Sequence, residues 1–140
     1  MQGNDVQAII SKVLTNPENH ADFKSKLSLF LNQFFEHSFK NRETILIISK
    51  DVGSKSAMES MQKLFKEIPD GITFFLQTAQ ERKILNKDLD LNFLCSLLID
   101  PLFMQILFLE HSKPIKNFSD PQVRKDFIEQ LLVVFFKGIF

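Results

Sequence analysis

Tryptophan and tyrosine are absent from this chain of 140 residues, and its aromatic complement is 16 phenylalanines. Phenylalanine has no hydrogen-bonding tip, so these rings suit dry interiors and apolar pockets. Cysteine occurs once, as Cys95, which excludes an intrachain disulfide framework. One thiol suits a reducing compartment, and a cytoplasmic location is expected. Net charge is also lacking, with 17 Lys and Arg against 17 Asp and Glu. That balance excludes the electrostatic footprint of a free-standing DNA reader and leaves no polybasic membrane patch. The opening MQGNDVQAII has neither the basic start nor the apolar run of a signal peptide.

Constellations that carry chemistry are equally sparse. His20, His37 and His111 lie far apart, with no ligand cluster around them, so no metal site is expected. Asp88, Asp90 and Asn92 imitate the start of a calcium loop. Phe93 stands where that loop needs glycine and Ile99 where it needs glutamate, so helix capping is the better account. Gly53-Ser54-Lys55-Ser56 resembles the end of a phosphate loop, but Ile48 occupies the position of its first glycine. Cys95, in an apolar stretch with no cation near it, reads as a small buried hydrophobe. No nucleophile–base pair or carboxylate dyad is present, so neither an enzyme nor a cofactor is expected.

What the chain does contain is apolar residues at helical spacing, in an ordinary globular composition of 44% hydrophobic and 24% charged residues. The length fits a single domain over 1–140, all-α, with about six helices. Val6, Ile9, Ile10, Val13 and Leu14 predict a short first helix. Asn16-Pro17-Glu18 reads as the start of a second, running to about Phe39. Its Phe23, Leu27, Phe30, Leu31, Phe34 and Ser38 share one face, which Phe35 and Phe39 widen. TILIISKD is rich in β-branched residues but has no second strand to pair with, which favours a short buried helix. From Ser56 a long helical pattern continues through Pro69-Asp70-Gly71 as one kinked helix or two collinear pieces. Asn86–Asp90 is a loop ending in a cap. A helix from about Asp90 to Glu110 contains Pro101. Asp120-Pro121 starts the last helix, which Gly138 ends.

Two features ask for more than a packed core. The stretch LLIDPLFMQILFLE, from Leu97 to Glu110, is apolar nearly all round, yet Asp100 and Gln105 make it a poor membrane span. The last helix has two stripes, Val123, Phe127, Leu131 and Val134 beside Ile128, Leu132, Phe135 and Ile139. A helix packing only within its own domain needs one stripe, so the second stripe predicts a partner subunit. The other feature is the concentration of Phe30, Phe34, Met58, Met61, Phe65 and Phe75. These residues either fill the core or line an adaptable apolar pocket. His37, at the edge of the same helix face, is either a boundary histidine or a polar anchor in that pocket.

From Phe74 onward the order of features resembles the C-terminal regulatory domain of TetR-family transcriptional regulators. The residues that carry it are FFLQTAQERKILNKDLDLNFLCSLLIDPLFMQILF and, after a polar spacer, DPQVRKDFIEQLLVVFFKGIF. The helix start at Asn16-Pro17 and the short helix from Arg42 fall in the same order. The chain departs from the family pattern at Arg82-Lys83, where Arg-Gly is frequent, and at Pro69-Asp70-Gly71. It also departs in having no N-terminal helix-turn-helix domain. The resemblance implies that the last two helices pair with their copies as a dimeric four-helix bundle, with Met104, Phe108, Phe127, Leu131 and Phe135 at the homodimer interface. It further implies a cavity for a small hydrophobic effector, lined by Phe30, Phe34, His37, Met58, Met61, Phe65, Phe75, Leu94 and Leu98. DNA would be reached only through a domain this chain does not contain, and no membrane is involved. The chain would then be part of a longer repressor, or else a short form that pairs with a full-length relative.

Overall fold

A computed structural model describes residues 2–43, 55–107 and 118–139, with side chains described over 7–43, 68–105 and 118–138. The described residues form five helices and no strand: α1 Gln2–Val13, α2 His20–Lys40, α3 Lys55–Glu81, α4 Leu91–Leu107 and α5 Pro121–Ile139. The sixth helix expected at TILIISKD lies outside the described residues. None of the described helices is long and apolar enough to cross a membrane.

Helix α2 is the hub, packing on α1 and α5 and, over a shorter stretch, on α4; α3 packs on α1 and α4. Its buried residues are Phe23, Leu27, Phe30, Leu31, Phe34, Phe35, Ser38 and Phe39, the broad face that the spacing predicts. Burial on so wide an arc removes several large apolar side chains from water, and each contributes about 1.5–3 kcal/mol. The rings interlock. Phe23 stacks on Phe75 of α3 at 5.3 Å, Phe34 meets Phe103 of α4 edge-on at 5.8 Å, and Phe35 sits against Phe118 and Phe127.

The start of α2 differs from expectation. Its N-cap is Asn19, not Asn16, and its side chain accepts the Asp22 N–H at 2.8 Å. The Asp22 side chain in turn accepts the N–H of Glu18, just before the cap, at 2.9 Å. Asn16 and Pro17 serve the loop instead: their carbonyls accept from Lys26 Nζ and Arg82 Nη1. The later caps follow the sequence. Asp90 Oδ1 accepts the N–H groups of Asn92 and Phe93, and Asp120 Oδ1 that of Gln122. Capping is thus what Asp90 does in the calcium-loop look-alike, and among the described residues no acidic or histidine cluster could hold a metal.

Helix α3 is a single helix of 27 residues with Pro69 inside it. Gly71 is where α1 crosses it. A Cβ there would lie 2.9 Å from both Cδ1 and Cγ2 of Ile10. The helix ends in a Schellman motif, with Lys83 N–H donating to Gln80 O and Ile84 N–H to Ala79 O. Lys83, at φ 61°, occupies the left-handed position of that motif. This is the site where the family pattern often has glycine.

Candidate functional site

Two groups of residues were singled out by sequence, and the fold distributes them differently. Of the expected effector-contacting set, Phe30, Phe34, Phe75, Leu94 and Leu98 are all core residues, each at most 2% exposed. Phe30 and Phe34 stack on one another at 5.8 Å. Phe75 stacks on Phe23, and all five belong to one packed core cluster. The side chains of Met58, Met61 and Phe65 lie outside the described residues.

His37 follows Phe34 on α2 by one turn and is half-buried. It edges an open groove of about 320 Å³ together with Asn32, Gln33, Glu36 and Lys40. Its backbone carbonyl is doubly engaged, accepting from both the N–H and Nδ2 of Asn41. A second, larger groove of about 520 Å³ lies at the α3–α4 turn, where His20, Gln80, Lys83 and Lys87 are among its walls. Gln80 there ties the turn down by donating to the carbonyls of Asn86 and Leu89, both at 3.0 Å.

The residues expected at a subunit interface divide between exposed and buried positions. On α4, Phe93, Leu97 and Met104 recur at four and seven, and all three are exposed. On α5, Val123, Phe127 and Leu131 are half-buried and Val134 is 72% exposed. The two stripes lie on helices that touch one another. Phe135 sits on the other stripe with Ile128 and Leu132, inside the chain's own core. Of the named interface residues, Met104 is therefore on the open side, Phe127 and Leu131 at its border, and Phe135 turned inward. Phe108 lies outside the described residues. Phe93 and Leu97, not among the expected interface residues, are exposed on α4 like Met104, at a spacing the sequence shows.

One ion pair organises the start of α5. Arg124, almost fully buried, donates from Nε and Nη2 to the two Glu36 carboxylate oxygens at 2.7 and 2.8 Å. Its Nη1 donates to the Phe118 and Ser119 carbonyls at 2.7 and 3.2 Å. The guanidinium also lies 4.3 Å from the centroid of Phe39, and that of Arg42 lies 4.4 Å from the same centroid. The hydrogen bonds from Arg124 hold the Glu36 carboxyl below the usual glutamate range, despite the opposing effect of its partial burial. Cys95 is buried, its sulfur 4.0 Å from the Pro69 carbonyl, and burial pushes its thiol up. A raised thiol is a poor nucleophile, so it behaves here as the small hydrophobe expected.

No family model, curated protein or solved structure matches this chain.

Proposed function

We propose that this chain is the effector-sensing and dimerisation domain of a TetR-like transcriptional regulator. It would form homodimers through α4 and α5, and a small apolar ligand bound within each protomer would control DNA binding by a helix-turn-helix domain. The observation that carries this reading is the exposure of large apolar residues on two helices that touch, Phe93, Leu97 and Met104 on α4 and Val134 on α5. A single chain gains nothing by exposing both stripes to water, whereas a two-fold pairing of the same helices would bury them together. The left-handed backbone at Lys83, where the family pattern often has glycine, adds support from a different part of the chain. An effector that favours one arrangement of the helices would change the spacing of two attached DNA readers and so lower operator affinity.

Native mass spectrometry at micromolar concentration tests the dimer. Val134 is the discriminating position, because its exposure in the single chain means that a charge there costs the protomer little. The wild-type chain is expected to be dimeric, and Val134→Asp is expected to yield folded monomer, since the pairing would desolvate an unpartnered carboxylate. A monomeric wild type, or an equally tight Val134→Asp dimer, would refute this assignment of the face.

A further inference from the structure

The groove of about 520 Å³ at the α3–α4 turn has more donors than acceptors to offer. The turn consumes its own acceptors. The Ala79 and Gln80 carbonyls take the N–H groups that close the Schellman motif, and Asn86 O and Leu89 O both take Gln80 Nε2. Asn86 Oδ1 takes the N–H of Asp88 at 3.0 Å. The donors that remain on the walls are the ammonium groups of Lys83 and Lys87 and the Nδ2 group of Asn86. Neither lysine forms an ion pair among the described residues. The acid on the same walls is Glu81, which accepts from Gln77 Nε2 at 3.4 Å. Two lysines therefore stand against one carboxylate, and the excess charge is positive.

Lys83 supplies a second, independent observation. Its left-handed backbone, at φ 61°, is a conformation that glycine adopts freely and a residue with a Cβ only at a cost. Strain of this kind collects where the side chain has a use. A glycine would close the same turn but would bring no ammonium group to the groove. Ile84 and Leu85, both buried, add an apolar floor beside the two lysines. The volume is that of a small-molecule site, not of a bare ion.

We infer that this groove binds a small organic anion. The carboxylate or phosphate oxygens of the ligand take the ammonium groups of Lys83 and Lys87 and Nδ2 of Asn86, and its apolar body rests on Ile84 and Leu85. None of these residues belongs to the expected apolar effector cavity, so the inference does not depend on the effector-sensing reading above.

The test uses three probes of similar shape, phenyl phosphate, benzoate and the neutral benzyl alcohol. Each is titrated into the full chain and followed by nuclear magnetic resonance of backbone amides and lysine side chains. At least one anion is expected to bind about tenfold or more tightly than the alcohol, to shift the Lys83 and Lys87 signals, and to weaken as salt is raised. The tighter of the two anions names the head group. Lys83→Gly removes the ammonium group and the backbone strain together. It is expected to lose roughly tenfold in anion affinity with no loss of thermal stability, which separates a binding role from a structural one. Lys87→Gln should lose a similar factor, while Lys125→Gln, outside the groove, should bind as the wild type does. Anions that bind no better than benzyl alcohol would overturn the inference. So would unchanged affinity in both Lys83→Gly and Lys87→Gln, or an equal loss in Lys125→Gln.

Discussion

Replacing Gly71 with alanine sets two opposed effects against each other at one helix crossing. Glycine inside a helix costs about 1 kcal/mol relative to alanine, so on propensity alone the substitution stabilises α3. The new Cβ, however, would sit 2.9 Å from two carbons of Ile10, well inside the ordinary carbon–carbon separation of about 3.5–4.0 Å. One of those carbons, Cγ2, is attached directly to the Ile10 Cβ, so rotating the outer end of the chain does not clear it. Either χ1 of Ile10 leaves its preferred well or α1 moves outward. Overpacking of this kind costs about 1–3 kcal/mol, which leaves Gly71→Ala about 0–2 kcal/mol less stable than wild type. In an Ile10→Ala background the obstruction is gone, and the same substitution should stabilise by about 1 kcal/mol. The sign is thus expected to reverse, with a coupling of about 1–3 kcal/mol between the two positions. Urea unfolding of the four proteins, followed by far-ultraviolet circular dichroism at one protein concentration, measures it. A stabilisation of the same size in both backgrounds would show that α1 does not rest on α3 at this point.

Two further outcomes follow from the site geometry. Because Arg124 lowers the Glu36 carboxyl in the folded chain, this pair stabilises above the ordinary glutamate range and loses its contribution as pH falls through the folded value. With the Glu36 side chain 40% exposed, solvent screening limits the loss to about 1 kcal/mol or less. Glu36→Gln should flatten the acid limb of a stability–pH curve, and an unchanged limb would count against the pair. Lys83→Gly relieves a left-handed non-glycine residue worth about 1–2 kcal/mol, and part of the gain returns to the more flexible unfolded chain. A rise in thermal midpoint corresponding to about 0.5–1 kcal/mol is expected; a fall would mean that the lysine side chain contributes contacts of its own.

Local signals were legible in the sequence to the extent that the chemistry was local. The caps at Asp90 and Asp120 act within three residues of themselves, and the α2 core face is set by helical spacing, so both could be read directly. The sequence places the start of α2 at Asn16-Pro17-Glu18, whereas the structure caps it at Asn19. The loop that precedes this cap is tied down by Arg82 donating to Pro17 O across 65 residues, which no local pattern contains. Pro69-Asp70-Gly71 read as a bend, yet the structural demand for Gly71 comes from Ile10 on another helix. The Glu36–Arg124 pair, 88 residues apart, was invisible for the same reason. On α5 the periodicity gave two stripes without saying which was interior, and Phe135 fell on the buried one. His37 was visible as a boundary residue, but its buried Nε2, unpaired among the described residues, required coordinates.

The exposed ring of Phe93 has a practical consequence, because the chain contains no indole and no phenol. Native emission from this protein is nearly dark, and a tryptophan placed at position 93 would be its sole reporter. On a water-facing helix surface that indole would fluoresce toward the red. Covered by a second copy of α4 and α5, it would shift to the blue, so a dilution series read at two wavelengths would trace association without any attached label.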